Sequence, residues 1–201
     1  MPPTDRTRLL ALAKRRGVLT ASDADRAGIH SQHLTRLVRE GVLERLSRGQ
    51  YRSRRSAITE HHGLVMAARA VPGGVICLLS ALGFHGIGTQ LPAEVWVAVA
   101  RGRRTPAVDQ PPLRIVRFSG VAFTTDIERH RVEGATVQVY SVAKTLADLF
   151  KHRNRIGMDV ALEALREAWR DRRFTMDALN RAARACRVEH VMRPYVEAIV
   201  E

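Results

Sequence analysis

The first fifty residues alternate short runs of helical periodicity with glycine stops. Thr4 can cap a helix, Leu9, Leu10, Leu12 and Ala13 follow at helical spacing, and Gly17 closes the run. This predicts a helix over 5–16. Val18-Leu19 is a brief apolar pair, after which Thr20 can cap a short helix over 21–27, stopped by Gly28. Beyond the Ile29-His30 turn, Ser31 is expected to cap a third helix that runs to Glu40 and ends at Gly41. Within it Leu34, Leu37 and Val38 lie three and four apart and form an inner face. Residues 42–46 alternate as a strand, Ser47-Arg48-Gly49 reads as a turn, and Gln50-Tyr51-Arg52 as the return strand. Helix, short helix, turn, helix and hairpin are the parts of a winged helix-turn-helix.

The rest of the chain mixes both periods. Thr59 can cap a helix over 60–70, stopped by Val71-Pro72-Gly73-Gly74, and residues 75–85 are apolar and read as mostly helical. Residues 94–100 form the clearest strand, and 113–118 alternate as a second. Further strands are expected near 122–125, 127–132 and 135–140, with Gly134 in a turn. Ser141 then caps a helix to Lys151, and helices over 159–170, 175–186 and 188–200 follow. The predicted fold class is therefore α+β. A winged helix-turn-helix over 1–56 precedes a larger mixed α/β domain over 57–201, which ends in a helical, bundle-like segment.

Composition narrows the class. The chain is 45% hydrophobic and 26% charged, which excludes a disordered protein, and its 5% aromatic content implies an aliphatic core. Two cysteines, Cys77 and Cys186, without CxxC spacing exclude a disulfide scaffold. No apolar run approaches the roughly 18 residues of a membrane span, and residues 1–6 lack the apolar core of a signal peptide. A cytoplasmic protein is expected.

Charge adds a partner. Lys and Arg number 33 against 20 Asp and Glu, a formal net charge of +13. Residues 1–56 hold 13 basic and 5 acidic side chains, so about a quarter of the chain carries more than half of the excess. Such a patch points to a polyanion, nucleic acid or an anionic membrane surface; the basic residues do not form one face of an anchor helix, so double-stranded DNA is the expected partner. A helix-turn-helix inserts its last helix into the major groove, so Ser31, Gln32, His33, Thr35, Arg36 and Arg39 are the candidate readers. Gln suits adenine and Arg suits guanine by bidentate geometry. Arg45, Arg48, Gln50, Arg52, Arg54 and Arg55 lie on or after the hairpin, where they can meet phosphates.

Other chemistry has plainer readings. Ser141-Val142-Ala143-Lys144 has the Ser-x-x-Lys spacing of penicillin-binding enzymes, but Ser-Asp-Asn and Lys-Thr-Gly partners are missing. Ser141 reads as a cap, with Lys144 facing solvent or Asp148. Gly83 to Gly88 contain no GxGxxG motif. His61-His62, His85, His130, His152 and His190 lack metal-site spacing. Glu163 and Glu167 lie one turn apart without a nuclease motif around them. No metal, cofactor or enzymatic activity is expected; the competing reading is a nuclease targeted by the winged helix.

Four segments together resemble a known family. They are Gly28 to Arg52, Ser80 to Gly86, Pro92 to Val99 and Val139 to Lys151, the last containing Ser141-Val142-Ala143-Lys144-Thr145-Leu146-Ala147-Asp148. The chain is similar to the AbiEi antitoxins of type IV toxin–antitoxin systems. That resemblance implies a repressor of its own operon, bound to an operator with inverted repeats, and an antitoxin opposing a nucleotidyltransferase toxin without a stable complex. A solitary regulator without a toxin is the variant of this reading.

Overall fold

Thr4 opens helix α1 (Asp5–Arg16): its hydroxyl accepts the Thr7 N–H, and Gly17 closes the last turn at φ 68°. In the computed structural model, residues 4–54, 59–105, 108 and 110–200 are described. Strand β1 (Val18–Thr20) leads into α2 (Ala21–Arg26), where Thr20 and Asp23 form a reciprocal capping box. Helix α3 (Gln32–Arg39) follows, then β2 (Leu43–Ser47) and β3 (Gln50–Ser53). The three strands form an antiparallel sheet in the order β1-β3-β2, with Leu19 opposite Tyr51 and Arg45 opposite Tyr51 on the other side. Val18-Leu19, read only as an apolar pair, is thus a strand.

Packing divides the chain into two units. The first comprises Met1–Pro72, Pro106–Pro112 and His130–Val137; the second comprises Gly73–Thr105, Leu113–Arg129 and Gln138–Glu201. The charge pattern put the boundary at residue 56, among residues that lie outside the described ones, whereas the first unit continues through α4 (His62–Ala70).

The first unit is held by a small aliphatic core of Leu9, Ala13, Leu19, Ala24, Ile29, Leu34, Leu37 and Leu43. Each buried leucine contributes about 2 kcal/mol by removal from water. A second centre is electrostatic. Asp23 is buried and pairs with Arg16 and Arg69, the latter from α4. Burial pushes its carboxyl up, but hydrogen bonds from Thr20 and the charges of Arg69 and Arg16 outweigh this and hold it below the ordinary range. A third contact involves Glu133, which accepts hydrogen bonds from the Thr59 N–H (2.7 Å) and hydroxyl (3.0 Å) and lies 2.6 Å from His62 Nδ1. Thr59 therefore does not cap α4; it lies two residues before the cap position His61, and its hydroxyl accepts the His61 N–H. Gly17 is needed twice here. Its φ is positive, and a Cβ would stand 1.7 Å from the Glu133 carbonyl oxygen.

A five-stranded mixed sheet carries β4 (Val75–Ile76), β5 (Val95–Ala100) and β6 (Leu113–Phe118) of the second unit together with β7 (Ile127–Val132) and β8 (Ala135–Tyr140), of which residues 130–137 are counted with the first. The strands lie in the order β6-β5-β4-β8-β7. β5 runs parallel to β6 and antiparallel to β4, which is parallel to β8. The apolar stretch 75–85 splits into β4 and helix α5 (Leu78–His85). Residues 122–125, expected as a strand, instead fall in the short helix α6 (Val121–Thr124) and its cap Thr125; four residues carry too little period to tell the two apart.

Helix α7 (Val142–Lys151) begins at Ser141, whose hydroxyl accepts the Lys144 N–H at 3.2 Å. Residues 142–150 of α7 are all buried. They pack against α5, α9 (Met158–Arg170), α10 (Met176–Cys186) and α11 (Glu189–Val200), with α8 (Arg153–Ile156) between α7 and α9. The unit is thus α+β with a helical C-terminal part, as the residue pattern predicts.

Candidate nucleic-acid interface

The two-faced pattern of α3 is present in three dimensions. Leu34 and Leu37 are buried in the first unit's core and Val38 packs against it. Ser31, Gln32, Thr35, Arg36 and Arg39 are exposed, and His33 is half-buried. The helix start differs from expectation. Ser31 has helical backbone angles and makes no side-chain cap; the imidazole Nδ1 of His30 accepts the Gln32 N–H at 3.2 Å instead. Ser31 is left exposed at the N-terminal end of α3.

Arg36 Nε donates to Glu40 Oε1 at 2.9 Å, and Arg6 Nη1 reaches the other oxygen at 2.5 Å. The Arg36 hydrogen bond is the main reason the Glu40 carboxyl lies below its ordinary range. The pair is exposed, so water competes with it and a base edge can replace it. His33 Nε2 lies 3.7 Å from Asp5 on α1.

The hairpin divides the remaining candidates. Arg45, Arg48 and Arg54 are exposed. Gln50 and Arg52 are each only 5% exposed, because β3 turns its even-numbered side chains inward. Gln50 donates to the Met66 carbonyl on α4 at 3.4 Å, and Arg52 pairs with Glu44 across the hairpin, its Nε at 2.6 Å from Oε1. Both are structural positions, and neither can face a phosphate. Arg55 lies outside the described residues. Among the described residues, the expected set thus reduces to the exposed face of α3 with Arg45, Arg48 and Arg54.

The alternative chemical readings find structural explanations. Glu167 accepts the Gly88 N–H at 2.8 Å and Glu163 accepts the Thr89 hydroxyl at 3.3 Å, so this carboxylate pair holds the glycine-rich loop. His85 Nε2 lies 2.8 Å from the Tyr140 carbonyl, and His152 stacks on Phe118 at 5.6 Å. Among the described residues, no group of three metal-ligating side chains is found. No helix among them is long and apolar enough to cross a membrane.

A short helix, a turn and a second helix with one polar, exposed face have the arrangement of a helix-turn-helix, the element that DNA-binding proteins of that kind place in the major groove. Residues 8–54 match a family described as "Transcriptional regulator, AbiEi antitoxin". Over this segment, from α1 to β3, the chain is similar to that family, in line with the sequence resemblance. The fold is similar to that of the RV2827C protein from Mycobacterium tuberculosis, seen in a crystal structure. The TM-score is 0.59, over 97% of this chain and 78% of that one, at 16% identity. No curated protein matches the chain.

Proposed function

We propose that the protein is a cytoplasmic repressor that binds double-stranded operator DNA, autoregulates its operon and acts as an antitoxin against a nucleotidyltransferase toxin. The observation that carries the DNA-binding part is the exposed side of α3, with Gln32, Thr35, Arg36 and Arg39 outward while Leu34 and Leu37 anchor the helix. In this reading α3 enters the major groove, and the β2–β3 hairpin acts as a wing, with Arg45 and Arg48 on backbone phosphates. The family match over residues 8–54 supports the regulatory and antitoxin parts.

Binding of the full chain to the DNA upstream of its own gene, followed across salt concentration, tests the wing. Each phosphate contact contributes a counterion-release increment, so Arg45→Ala with Arg48→Ala should flatten log K against log salt by about two units. An unchanged slope would move the contacts elsewhere, for instance to the exposed loop bearing Arg101, Arg103 and Arg104.

The antitoxin part is tested by co-expression with a nucleotidyltransferase encoded beside the gene, with both placed under unrelated promoters. Growth rescue under these conditions cannot come from repression. Toxicity that persists despite full expression of the protein would leave a plain repressor.

A further inference from the structure

Beside the turn of the β2–β3 hairpin, the first unit contains a cleft of about 630 Å³. Arg16, Arg26, Arg48 and Arg69 line it, and Asp23 is the one carboxylate among its lining residues. That carboxylate is already divided: it pairs with Arg16 and Arg69 and lies 3.6 Å from Arg26. Three guanidinium groups therefore share one negative charge, and Arg48 adds a fourth positive charge to the lining. The Nε of Arg69 is buried without a hydrogen-bond partner. Burial pulls the Arg69 guanidinium below its usual range; Asp23 opposes this, while Arg16 and Arg26 add to it, as expected where positive charge is in excess.

Two further features describe the rest of the cleft. Gln50 lines it with an amide oxygen that is buried and accepts no hydrogen bond, which calls for a donor such as a hydroxyl or amino group. Ala68 and Ala70 supply an apolar wall. The volume lies within the roughly 300–1,000 Å³ of small-molecule sites.

We propose that this cleft binds a phosphate ester of nucleotide size, its phosphates on the arginines and its sugar or base toward Gln50 and the alanines. Guanidinium forks match phosphate oxygens bidentately, and a multivalent anion relieves the crowding of like charges around Asp23. The hairpin turn forms one wall, and its Gly49 carbonyl accepts the Ala21 N–H at 3.0 Å. A ligand that engages Arg48 therefore withdraws it from DNA. This second consequence rests on the DNA-binding proposal; the binding itself does not.

Isothermal titration of the full chain with ATP, with sulfate at matched ionic strength as comparison, is the test. The expected result is saturable one-to-one binding of ATP, weakened about tenfold or more by Arg26→Gln or Arg69→Gln. Arg193→Gln, which removes the same charge far along the chain, should leave it unchanged. Arg26 is mostly exposed, so its substitution keeps the test valid if Arg69→Gln disturbs folding around Asp23. Absence of saturable binding, equal binding of sulfate, or equal weakening by Arg193→Gln would overturn the proposal. So would an Arg26→Gln protein that loses affinity for DNA and none for ATP. Where ATP binds but leaves DNA affinity untouched, the site stands and the competition fails.

Discussion

Lys144 places its ammonium 2.6 Å from both carboxylate oxygens of Asp148, one helical turn away, and neither residue reaches solvent: they are 0% and 2% exposed. The ammonium also lies 4.1 Å from the centroid of the Tyr140 ring and 4.8 Å from that of Phe118. The Cys186 thiol donates to Asp148 Oδ1 at 3.2 Å. Burial raises the Asp148 carboxyl above its ordinary range despite the lysine beside it, which expresses the desolvation that the pair must overcome.

Breaking this pair from one side should be severe. Lys144→Met or Asp148→Asn leaves a buried polar group without its counterpart and should destabilise the protein by about 3–5 kcal/mol. The double substitution Lys144→Met/Asp148→Leu should cost much less than the sum of the single changes. A double-mutant cycle by chemical denaturation measures this; additive losses would show that the two side chains act independently.

The cysteines should be inert. Both are buried; burial is the main reason that the Cys77 thiol lies well above its ordinary range and that the Cys186 thiol is pushed up to about 12. Thiolate is the reactive form. At pH 8 the folded chain should therefore consume no aromatic disulfide reagent over minutes, and both thiols should react once denatured. Prompt reaction of one thiol in the folded chain would contradict this placement.

Asp23 sets an acid limit on the first unit. Its folded carboxyl lies below the ordinary range. The stabilisation it gives is therefore complete above its unfolded value, near pH 4, and is lost as pH falls through the folded value. Asp23→Asn should cost about 2–3 kcal/mol at neutral pH, and its deficit relative to the natural chain should shrink below about pH 4. Melting curves that stay parallel from pH 7 to pH 2 would contradict the assignment.

A fragment ending at residue 56 should fold poorly, since it removes Arg69 from Asp23 and Met66 from Gln50. A fragment ending at Pro72 keeps both contacts and should melt at a higher temperature. Indistinguishable melting would show that α4 adds nothing to the N-terminal core.

The local signals in the sequence were largely legible. Thr4, Thr20 and Ser141 cap the helices they precede, because a hydroxyl at that position satisfies an otherwise orphaned N–H. The faces of α3 follow from the spacing of Leu34 and Leu37. Contacts made across long sequence separations were not legible. Glu133 is a turn residue by sequence, and nothing in its neighbourhood announces Thr59 or His62 as partners. Arg52 reads as a surface arginine until the pairing of β2 with β3 puts Glu44 opposite it. Thr20 was legible as a cap, but neither its reciprocal box with Asp23 nor the gathering of Arg16 and Arg69 on the same carboxylate was. Lys144 and Asp148 stand four apart, so the sequence offered their pairing as one option; their complete burial depended on helices far along the chain.

The most direct measurement of the central proposal is the affinity of Gln32→Ala and Arg36→Ala for operator DNA and for random DNA of equal length at the same salt. If α3 reads base edges, each substitution should weaken operator binding by about 1–3 kcal/mol and leave random-sequence binding nearly unchanged. Equal losses on both DNAs would reduce these residues to phosphate contacts, and no loss on either would remove α3 from the interface.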